Sequence, residues 1–235
     1  MIGMVQIMIN QGNSEEFENI IGYTFENKHY LQQALSHSSY ANEKRWSKLA
    51  NNERLEFLGD AVLELVSSEY IFQNNREMFE GEMTKLRASI VCEPTLAMCA
   101  RDIHLGSYIM LGKGEITTGG ADRDSILSDA FEAVIGAIYL DGGFTSAKEF
   151  IVKFVLEDID NKKLFFDSKT ILQEMIQADY QEPLQYKLIG EEGPDHAKIF
   201  TVAAMIEDKE LSQGTGKTKK AAEQAAAYQA ILKLS

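Results

Sequence analysis

Cysteine, proline and long apolar runs are all scarce in this chain of 235 residues, and each scarcity excludes a class of protein. The two cysteines, Cys92 and Cys99, are too few for a disulfide framework or a zinc cluster, so we expect reduced thiols. Only three prolines and no low-complexity tract argue against long disordered segments. No apolar stretch approaches a membrane span, and the apolar N-terminus lacks the basic residues of a signal peptide. The sequence therefore predicts a cytoplasmic protein that does not contact membranes.

Positive charge is also in short supply, which bears on nucleic-acid binding. The chain has 23 Lys and Arg against 36 Asp and Glu, a formal net charge of −13, and residues 165–235 hold 8 Lys against 11 acids. Proteins that bind a phosphate backbone are usually basic, so composition alone argues against RNA. Affinity depends on local patches and bound cations rather than on the total, so the patterns along the chain must decide.

The segment 52–66 reads as a helix with two different faces. The apolar residues expected to face a core are Leu55, Leu58, Val62, Leu65 and Val66. Glu53, Glu56 and Asp60 share another face, where like charges repel one another. Either this face is simply solvated, or a cation lies between the carboxylates, and a hard divalent cation suits such oxygen ligands.

A second acidic stripe lies in the segment 125–140. This segment is strongly apolar and holds only two charges, Asp129 and Glu132, which are three residues apart. Carboxylates in such a helix need partners or a metal ion, because burying an uncompensated charge is costly. Gly136, four residues after Glu132, leaves room on the same face for a close approach. The second stripe favours a metal site over a solvated face.

These residues resemble a known family. Residues 53–63, Glu-Arg-Leu-Glu-Phe-Leu-Gly-Asp-Ala-Val-Leu, are similar to the signature of ribonuclease III. Residues 129–141, Asp-Ala-Phe-Glu-Ala-Val-Ile-Gly-Ala-Ile-Tyr-Leu-Asp, are similar to that family's second acidic segment. Shorter matches lie at 34–40, with Ser for the family's Thr, and at 80–87. Within the first of these, we interpret His37 as a hydrogen-bonded structural residue rather than a base.

The resemblance implies an endonuclease that hydrolyses phosphodiester bonds in double-stranded RNA, with roles in rRNA and mRNA processing. The residues that match the family's metal-site carboxylates are Glu56, Asp60, Asp129 and Glu132, and Asp60 and Glu132 among them are the expected catalytic residues. Glu53 and Glu80 match accessory acids, although Glu80 also fits the acid typical of a helix N-terminus. Two Mg²⁺ ions per site are implied, with Mn²⁺ as an alternative. They would activate a water and stabilise the leaving 3′ oxygen, which would leave 5′-phosphate and 3′-hydroxyl ends.

Phe57 lies between the acidic and apolar faces of the first segment, where a large aromatic side chain is hard to justify in a monomer. In the family this position inserts into the partner subunit. The resemblance therefore implies a homodimer with two active sites, each of which cuts one strand. The alternative is a core phenylalanine of a monomeric protein.

The C-terminal third resembles a double-stranded RNA-binding domain. Its pattern predicts a helix from Thr170, strands at 184–189, 199–206 and 210–214, and a final helix at 217–234. The residues that match RNA-contacting positions are Thr170, Gln173 and Glu174 on the first helix, Pro194 and His196 in the first hairpin, and Lys217, Lys219 and Lys220 at the last helix. Lysines at a helix N-terminus favour phosphate, although a solvated helix start is the alternative.

The sequence thus predicts an all-α catalytic domain, followed by a small α+β domain of order α-β-β-β-α. We place the catalytic domain at 1–160 and the RNA-binding domain at 168–235, because 157–168 breaks the helical apolar rhythm. Residues 41–51 and the glycine-rich 111–124 are expected to be surface loops, and the resemblance adds that 111–124 can touch RNA. The glycine-rich stretch lacks the P-loop arrangement, so no nucleotide cofactor is predicted.

Two rival functions come from other classes of protein. The first is a protein that grips double-stranded RNA without cutting it, and retention of all four carboxylates argues against this rival. The second is a metal-dependent phosphohydrolase that acts on small substrates, and the appended RNA-binding domain argues against it.

Overall fold

The computed structural model describes residues 11–179, 182–193, 198–216 and 218–234, without the side chains of 11–13, 161, 163, 166 and 179. The chain divides between Asp158 and Ile159 into two units, each of which is described by itself. The limits 1–160 and 168–235 stay a prediction. The reason given for them is wrong, because a helix runs without interruption from Ile159 to Asp179 and includes most of 157–168.

The first unit is helical, as predicted. Its helices are α1 (Gln11–Ile21), α2 (Lys28–Ala34), α3 (Ser38–Glu43), α4 (Glu53–Asn74), α5 (Glu80–Ile90), α6 (Glu93–Asp102), α7 (Lys113–Thr117) and α8 (Asp124–Ile151). Helices α4 and α8 pack against each other and contain the two acidic segments. Around them lies a core of wholly buried side chains such as Phe17, Leu63 and Phe131.

Two local predictions for this unit are wrong, and a third is wrong in part. Of the predicted loop 41–51, residues 41–43 belong to helix α3 and 44–51 form the loop. The glycine-rich segment 111–124 contains helix α7 and a 3₁₀ turn at Gly120–Asp122. Such short helices have too few turns to show an apolar period in the sequence. Leu65 does not face the core, since 58% of it is exposed. Its period along α4 is helical, but its face points away from α8.

The carboxylate of Asp141 on α8 fixes the chain between α1 and α2. Its Oδ2 accepts hydrogen bonds from the Tyr23 hydroxyl at 2.8 Å and from the Glu26 amide at 2.9 Å, and its Oδ1 accepts one from the Asn27 amide at 2.8 Å. Asparagine could accept with only one oxygen, and its amide nitrogen would face an N–H donor.

We expect Asp141→Asn to lower the free energy of unfolding by about 1–3 kcal/mol, because hydrogen bonds to a charged acceptor are lost. Chemical denaturation measures the loss. Glu149→Gln, the same kind of change at an exposed position of α8, is the matched control. Equal free energies of unfolding for the two variants would show that the Asp141 contacts contribute nothing.

The second unit has the predicted order of elements. They are α9 (Ile159–Asp179), β1 (Leu184–Glu192), β2 (Ile199–Ile206), β3 (Lys209–Gly216) and α10 (Lys219–Leu234). The strands form an antiparallel sheet in the order β1-β2-β3. Leu172 and Ile176 of α9 pack with Ala226 and Ala230 of α10 in its core. The first helix starts at Ile159 rather than at Thr170, so that part of the prediction is wrong.

Strand β3 lies directly on the alanine-rich face of α10. A Cβ atom on Gly214 would overlap the backbone nitrogen of Ala226, so glycine and alanine together permit this close packing. Within the described ranges, no helix is long and apolar enough to cross a bilayer.

Candidate active site

The site is built where α4 crosses α8, and two glycines make the crossing close. A Cβ atom on Gly59 would overlap the carbonyl oxygen of Glu132, and one on Gly136 would overlap the carbonyl oxygen of Leu55. Each glycine therefore lies against the backbone of the other helix, and larger side chains would push the helices apart. The backbone of α4 occupies the space that Gly136 was predicted to leave. Because Glu56 lies about one turn before Gly59 and Asp60 follows it directly, the crossing presents both acidic stripes to each other.

Four carboxylates interact electrostatically at this crossing. Burial, followed by the negative charges of Asp60, Glu56 and Asp129, raises the pKa of Glu132 to about 8. Burial also raises the pKa of Glu56, to which Asp129, Glu53 and Asp60 add. The structure thus brings together all four residues that were predicted as metal ligands. Their charges repel, and every cause that acts on the pKa of Glu56 and Glu132 raises it, which is the condition that a bound cation would relieve.

Asp129 is half-buried, and burial raises its pKa as well. Two neighbours act in the opposite direction: a weak hydrogen bond of 3.4 Å donated by the Ser128 hydroxyl, and the nearby His37 ring. Among the four carboxylates, Asp129 is therefore the one whose ionised form is stabilised by neighbouring groups.

His37 is hydrogen-bonded, as predicted, and caps helix α3. Its Nδ1 accepts a hydrogen bond from the Ser39 amide at 3.2 Å and lies 2.7 Å from the Ser39 hydroxyl, which itself accepts one from the Gly112 amide. Burial lowers the pKa of His37, against the opposing effect of Glu115, Asp129 and Glu53. The His37 ring thus connects the cap of α3 to the carboxylates by an electrostatic interaction.

The two predicted accessory acids lie in different places. Glu53, at the start of α4, is close enough to interact with Glu56 and His37. Glu80 is on α5, where its carboxylate accepts a hydrogen bond from the Thr84 hydroxyl at 3.1 Å. It lines a groove of about 480 Å³ between α4 and α5, together with Leu65. The structure does not bring Glu80 into the electrostatic set of the other acids.

The four carboxylates fit a hard divalent cation by donor type and by charge. As the side chains stand, no three His, Cys, Asp or Glu residues in the described part of the chain are close enough to hold a metal ion. Rotation of the long glutamate side chains would bring their carboxylates close enough to share a metal ion. The uncompensated charge shown by the raised pKa of Glu132 is the observation that makes the set suitable.

The pKa of Glu132 makes the metal-free protein sensitive to pH. Because its folded-state pKa of about 8 lies above the ordinary value of 4.5, the native state holds a proton that the unfolded state releases. Stability that is present below pH 4.5 is lost as the pH rises toward 8. In EDTA at pH 8, we expect Glu132→Gln to be about 2 kcal/mol more stable than the wild type, after allowance for partial exposure.

Thermal unfolding in EDTA between pH 5 and 8 measures this effect. The wild type should lose stability over this range, and Glu132→Gln should lose less. Glu149→Gln serves as the control for the loss of a carboxylate from α8. Parallel pH profiles for wild type and Glu132→Gln would show that the burial and repulsion of Glu132 have no energetic consequence.

The predicted RNA-contacting residues of the second unit fall into three groups. Thr170, Gln173 and Glu174 are exposed on one stretch of α9. Lys219 and Lys220 are exposed at the first two positions of α10, which Thr218 caps by accepting a hydrogen bond from the Ala221 amide at 3.0 Å. The remaining three, Pro194, His196 and Lys217, lie outside the described residues.

Sequence reasoning missed several residues around the site. Gly59 had a signal, because glycine inside a helix is unfavourable and calls for a packing reason. Glu64, which also raises the pKa of Glu132, had one too, because it lies four residues after Asp60 on the same face of α4. Glu115, which acts on His37, had none, because its proximity to the site depends on the position of α7 and does not follow from spacing in the sequence.

Comparison with known proteins identifies the fold. The family described as ribonuclease-III-like matches residues 27–159, which is more than half of the chain. The chain belongs to the ribonuclease III family. The double-stranded RNA binding motif matches residues 168–234, so this ribonuclease III endonuclease has double-stranded RNA as its partner. The resemblance drawn from the two acidic segments is confirmed.

Relatives of the same family cover almost the whole chain. Ribonuclease 3 of Oceanobacillus iheyensis is 48% identical over 216 residues, which are 91% of this chain and 95% of that protein. Ribonuclease 3 of Shouchella clausii is 43% identical over 235 residues, 98% of this chain and 90% of that protein.

A solved nuclease domain of ribonuclease III from Campylobacter jejuni is similar at 43% identity and a TM-score of 0.57. The match covers 61% of this chain and 96% of that domain. The Campylobacter domain is described as structurally flexible in a region involved in dimer formation.

Proposed function

We propose that this endonuclease cleaves double-stranded RNA by divalent-metal-dependent hydrolysis of the phosphodiester backbone, which leaves 5′-phosphate and 3′-hydroxyl ends. The observation that supports the metal dependence is the mutual repulsion of four carboxylates where α4 crosses α8. When bound, two Mg²⁺ ions, or Mn²⁺ in their place, would stabilise negative charge on the phosphate and lower the pKa of a water molecule. Precursors of rRNA and messenger RNAs are the natural substrates that membership in the family suggests.

Asp60 and Glu132 are the residues to which we assign the catalytic roles, with Glu56 and Asp129 as the further metal ligands. Glu132 is protonated at neutral pH without a cation, so it has to release its proton before it can act as a ligand. Cation binding is therefore coupled to proton release at this residue. We assign Glu53, on the same face of α4, as an accessory acid. Glu80 lies apart on α5 and would have to reach the site from there to act as one.

The second unit would recognise the shape of the RNA duplex rather than its base sequence. The exposed face of α9 with Thr170, Gln173 and Glu174 suits the minor groove and its 2′-hydroxyls. Lys219 and Lys220 at the capped start of α10 suit phosphates, because helix dipole and ammonium charges act in the same direction. Lys219 interacts in the free protein with Glu191 at 3.8 Å, so phosphate would compete with that exposed carboxylate.

We propose that the protein acts as a homodimer through α4. Phe57, Leu65 and Phe72 are 80%, 58% and 71% exposed and share one face of the helix, within about 80° of one another around its axis. An exposed apolar stripe of this length is typical of an interaction surface. The similar Campylobacter domain forms dimers, which supports the same assembly here. The core alternative for Phe57 does not fit its exposure.

Phe57→Ala should weaken dimerisation by about 100-fold or more in the dissociation constant, as expected for an aromatic anchor at an interface. Sedimentation velocity over a range of protein concentrations measures the change. Phe144→Ala, which shortens a less exposed phenylalanine outside α4, is the control. A Phe57→Ala protein that stays dimeric at all concentrations would remove Phe57 from the interface.

Cys92 and Cys99 are both in the reduced thiol form, which is consistent with the reducing cytoplasm in which we propose that the protein works.

The proposed chemistry is tested by incubating the protein with Mg²⁺ and a perfect RNA duplex, or either single strand alone, and mapping the ends of the products. We expect products from the duplex only, with 5′ ends that a kinase labels only after phosphatase treatment. Products with 3′-phosphate ends would contradict the proposed hydrolysis. A duplex that is bound but left intact would support the rival protein that grips RNA without cutting it.

A further inference from the structure

The first unit has an exposed cluster of positive charge beside its acidic centre. Lys44, Arg45 and Lys48 lie within five residues of one another in the connection between α3 and α4, and all three are exposed. We call residues 44–48 the basic loop. This unit is strongly acidic, so its cations matter for any contact with a phosphate backbone.

Two other cations near the site, Arg87 and Arg123, are already paired with acids. Arg87 lies 3.4 Å from Glu64, and Arg123 lies 2.8 Å from Glu115. Among the described residues, no ion pair is formed by Lys44, Arg45 or Lys48. The charge of the basic loop is therefore available to an external anion without loss of an internal partner.

The basic loop is held in a fixed shape. Trp46 packs edge-on against Tyr40 with ring centroids 5.2 Å apart, and its amide donates a hydrogen bond to the Ala41 carbonyl at 2.9 Å. Lys44 Nζ lies 5.3 Å from the centre of the Tyr40 ring. Arg45 adopts a left-handed backbone conformation, with φ of 56°, which is uncommon for a residue with a side chain. A loop ordered before binding loses less entropy when a ligand arrives.

The position of the basic loop relates it to the carboxylates. Only residues 49–51 separate it from the Asn52 cap and from Glu53, the first residue of α4. Its preceding helix α3 is joined to the 112–113 segment, because Ser39 Oγ accepts from the Gly112 amide at 2.9 Å and Glu43 Oε2 from the Lys113 amide at 2.8 Å. Through His37, the same helix is next to Asp129.

We propose that Lys44, Arg45 and Lys48 bind the phosphate backbone of the RNA duplex and hold it at the acidic centre. The inference rests on the proposed function, since it assigns a binding surface to the same site. The carboxylates repel phosphate, and a fixed positive edge at the start of α4 offsets that repulsion before the scissile bond arrives. Such contacts are to phosphates and have no dependence on base sequence.

The test is duplex RNA binding as a function of salt, with full-length protein that contains Glu132→Gln so that the probe stays intact. In that background, Lys44→Gln, Arg45→Gln and Lys48→Gln are combined. We expect about tenfold weaker binding at moderate salt, and a slope of log affinity against log salt that is smaller by about 2–3. The matched control is the charge-conserving combination Lys44→Arg, Arg45→Lys and Lys48→Arg, which should keep the parental slope.

Each other outcome has a definite meaning. An unchanged salt slope in the glutamine variant would overturn the inference, and cleavage of the duplex by the wild type would show that the proposed function still stands. Equal losses in the glutamine and charge-conserving variants would also overturn it, because the loop would then act through its shape alone. If the wild type neither binds nor cuts the duplex, the proposed function fails and the inference fails with it.

Discussion

Glu132→Gln is expected to slow cleavage of duplex RNA by on the order of 10³-fold or more while leaving RNA affinity unchanged. Glu132 interacts with all three of its acidic partners, and burial together with their charges gives it a pKa of about 8. Glutamine keeps the size of the side chain but cannot ligate a cation as an anion. The RNA-contacting residues of the second unit are untouched, so binding should persist.

Single-turnover cleavage with enzyme in excess measures the chemical step, and a gel-shift titration measures affinity. Glu149→Gln makes the same replacement on an exposed part of α8 and should cleave at the wild-type rate. If Glu132→Gln cleaves within threefold of the wild type, Glu132 is not a ligand in this centre. A parallel loss of RNA affinity would point instead to a disturbed fold.

Gly59→Ala is expected to lower the free energy of unfolding by about 3 kcal/mol or more and to abolish cleavage. The added methyl group would overlap the carbonyl oxygen of Glu132, which belongs to the backbone of α8 and cannot rotate away. The two helices would have to separate, and the carboxylates of Glu56 and Asp60 would move away from those of α8. Stability and activity should therefore fall together.

The matched control for Gly59 is Gly81→Ala in α5, where a Cβ atom would meet nothing within 4 Å. There alanine should stabilise the protein by about 0.5–1 kcal/mol, because it restricts the unfolded chain and favours the helix. Urea denaturation of both variants gives the comparison. A Gly59→Ala protein as stable as wild type would mean that the crossing adapts, and the close contact would not then position the site.

The acidic helices could be predicted because residues three or four positions apart in the sequence lie on the same face of a helix. Glu56, Asp60, Asp129 and Glu132 were recognised in this way, and their convergence followed from the family resemblance. The same period could not distinguish Leu65 from a core residue. An apolar side chain on an exposed helix face has the same chemistry and spacing as one that faces the interior.

Other features depend on contacts between distant segments. The pairing of Gly59 with the backbone of Glu132 exists only once α4 and α8 have crossed. The link from His37 through Ser39 to Gly112 joins residues more than 70 positions apart. Helix α7 has only five residues, and the glycines around it suggested a loop. Local propensity is too weak a signal for elements that tertiary contacts stabilise.

The most direct test of a metal-dependent active site at the α4–α8 crossing is cleavage of a long perfect RNA duplex while Mg²⁺ is titrated from zero in EDTA-treated protein. We predict no cleavage without a divalent cation, a rate that rises with Mg²⁺ more steeply than for a single ion, and short duplex products. Mn²⁺ should restore activity in place of Mg²⁺. Tight binding of the duplex without cleavage under any divalent cation would contradict this function for the four carboxylates.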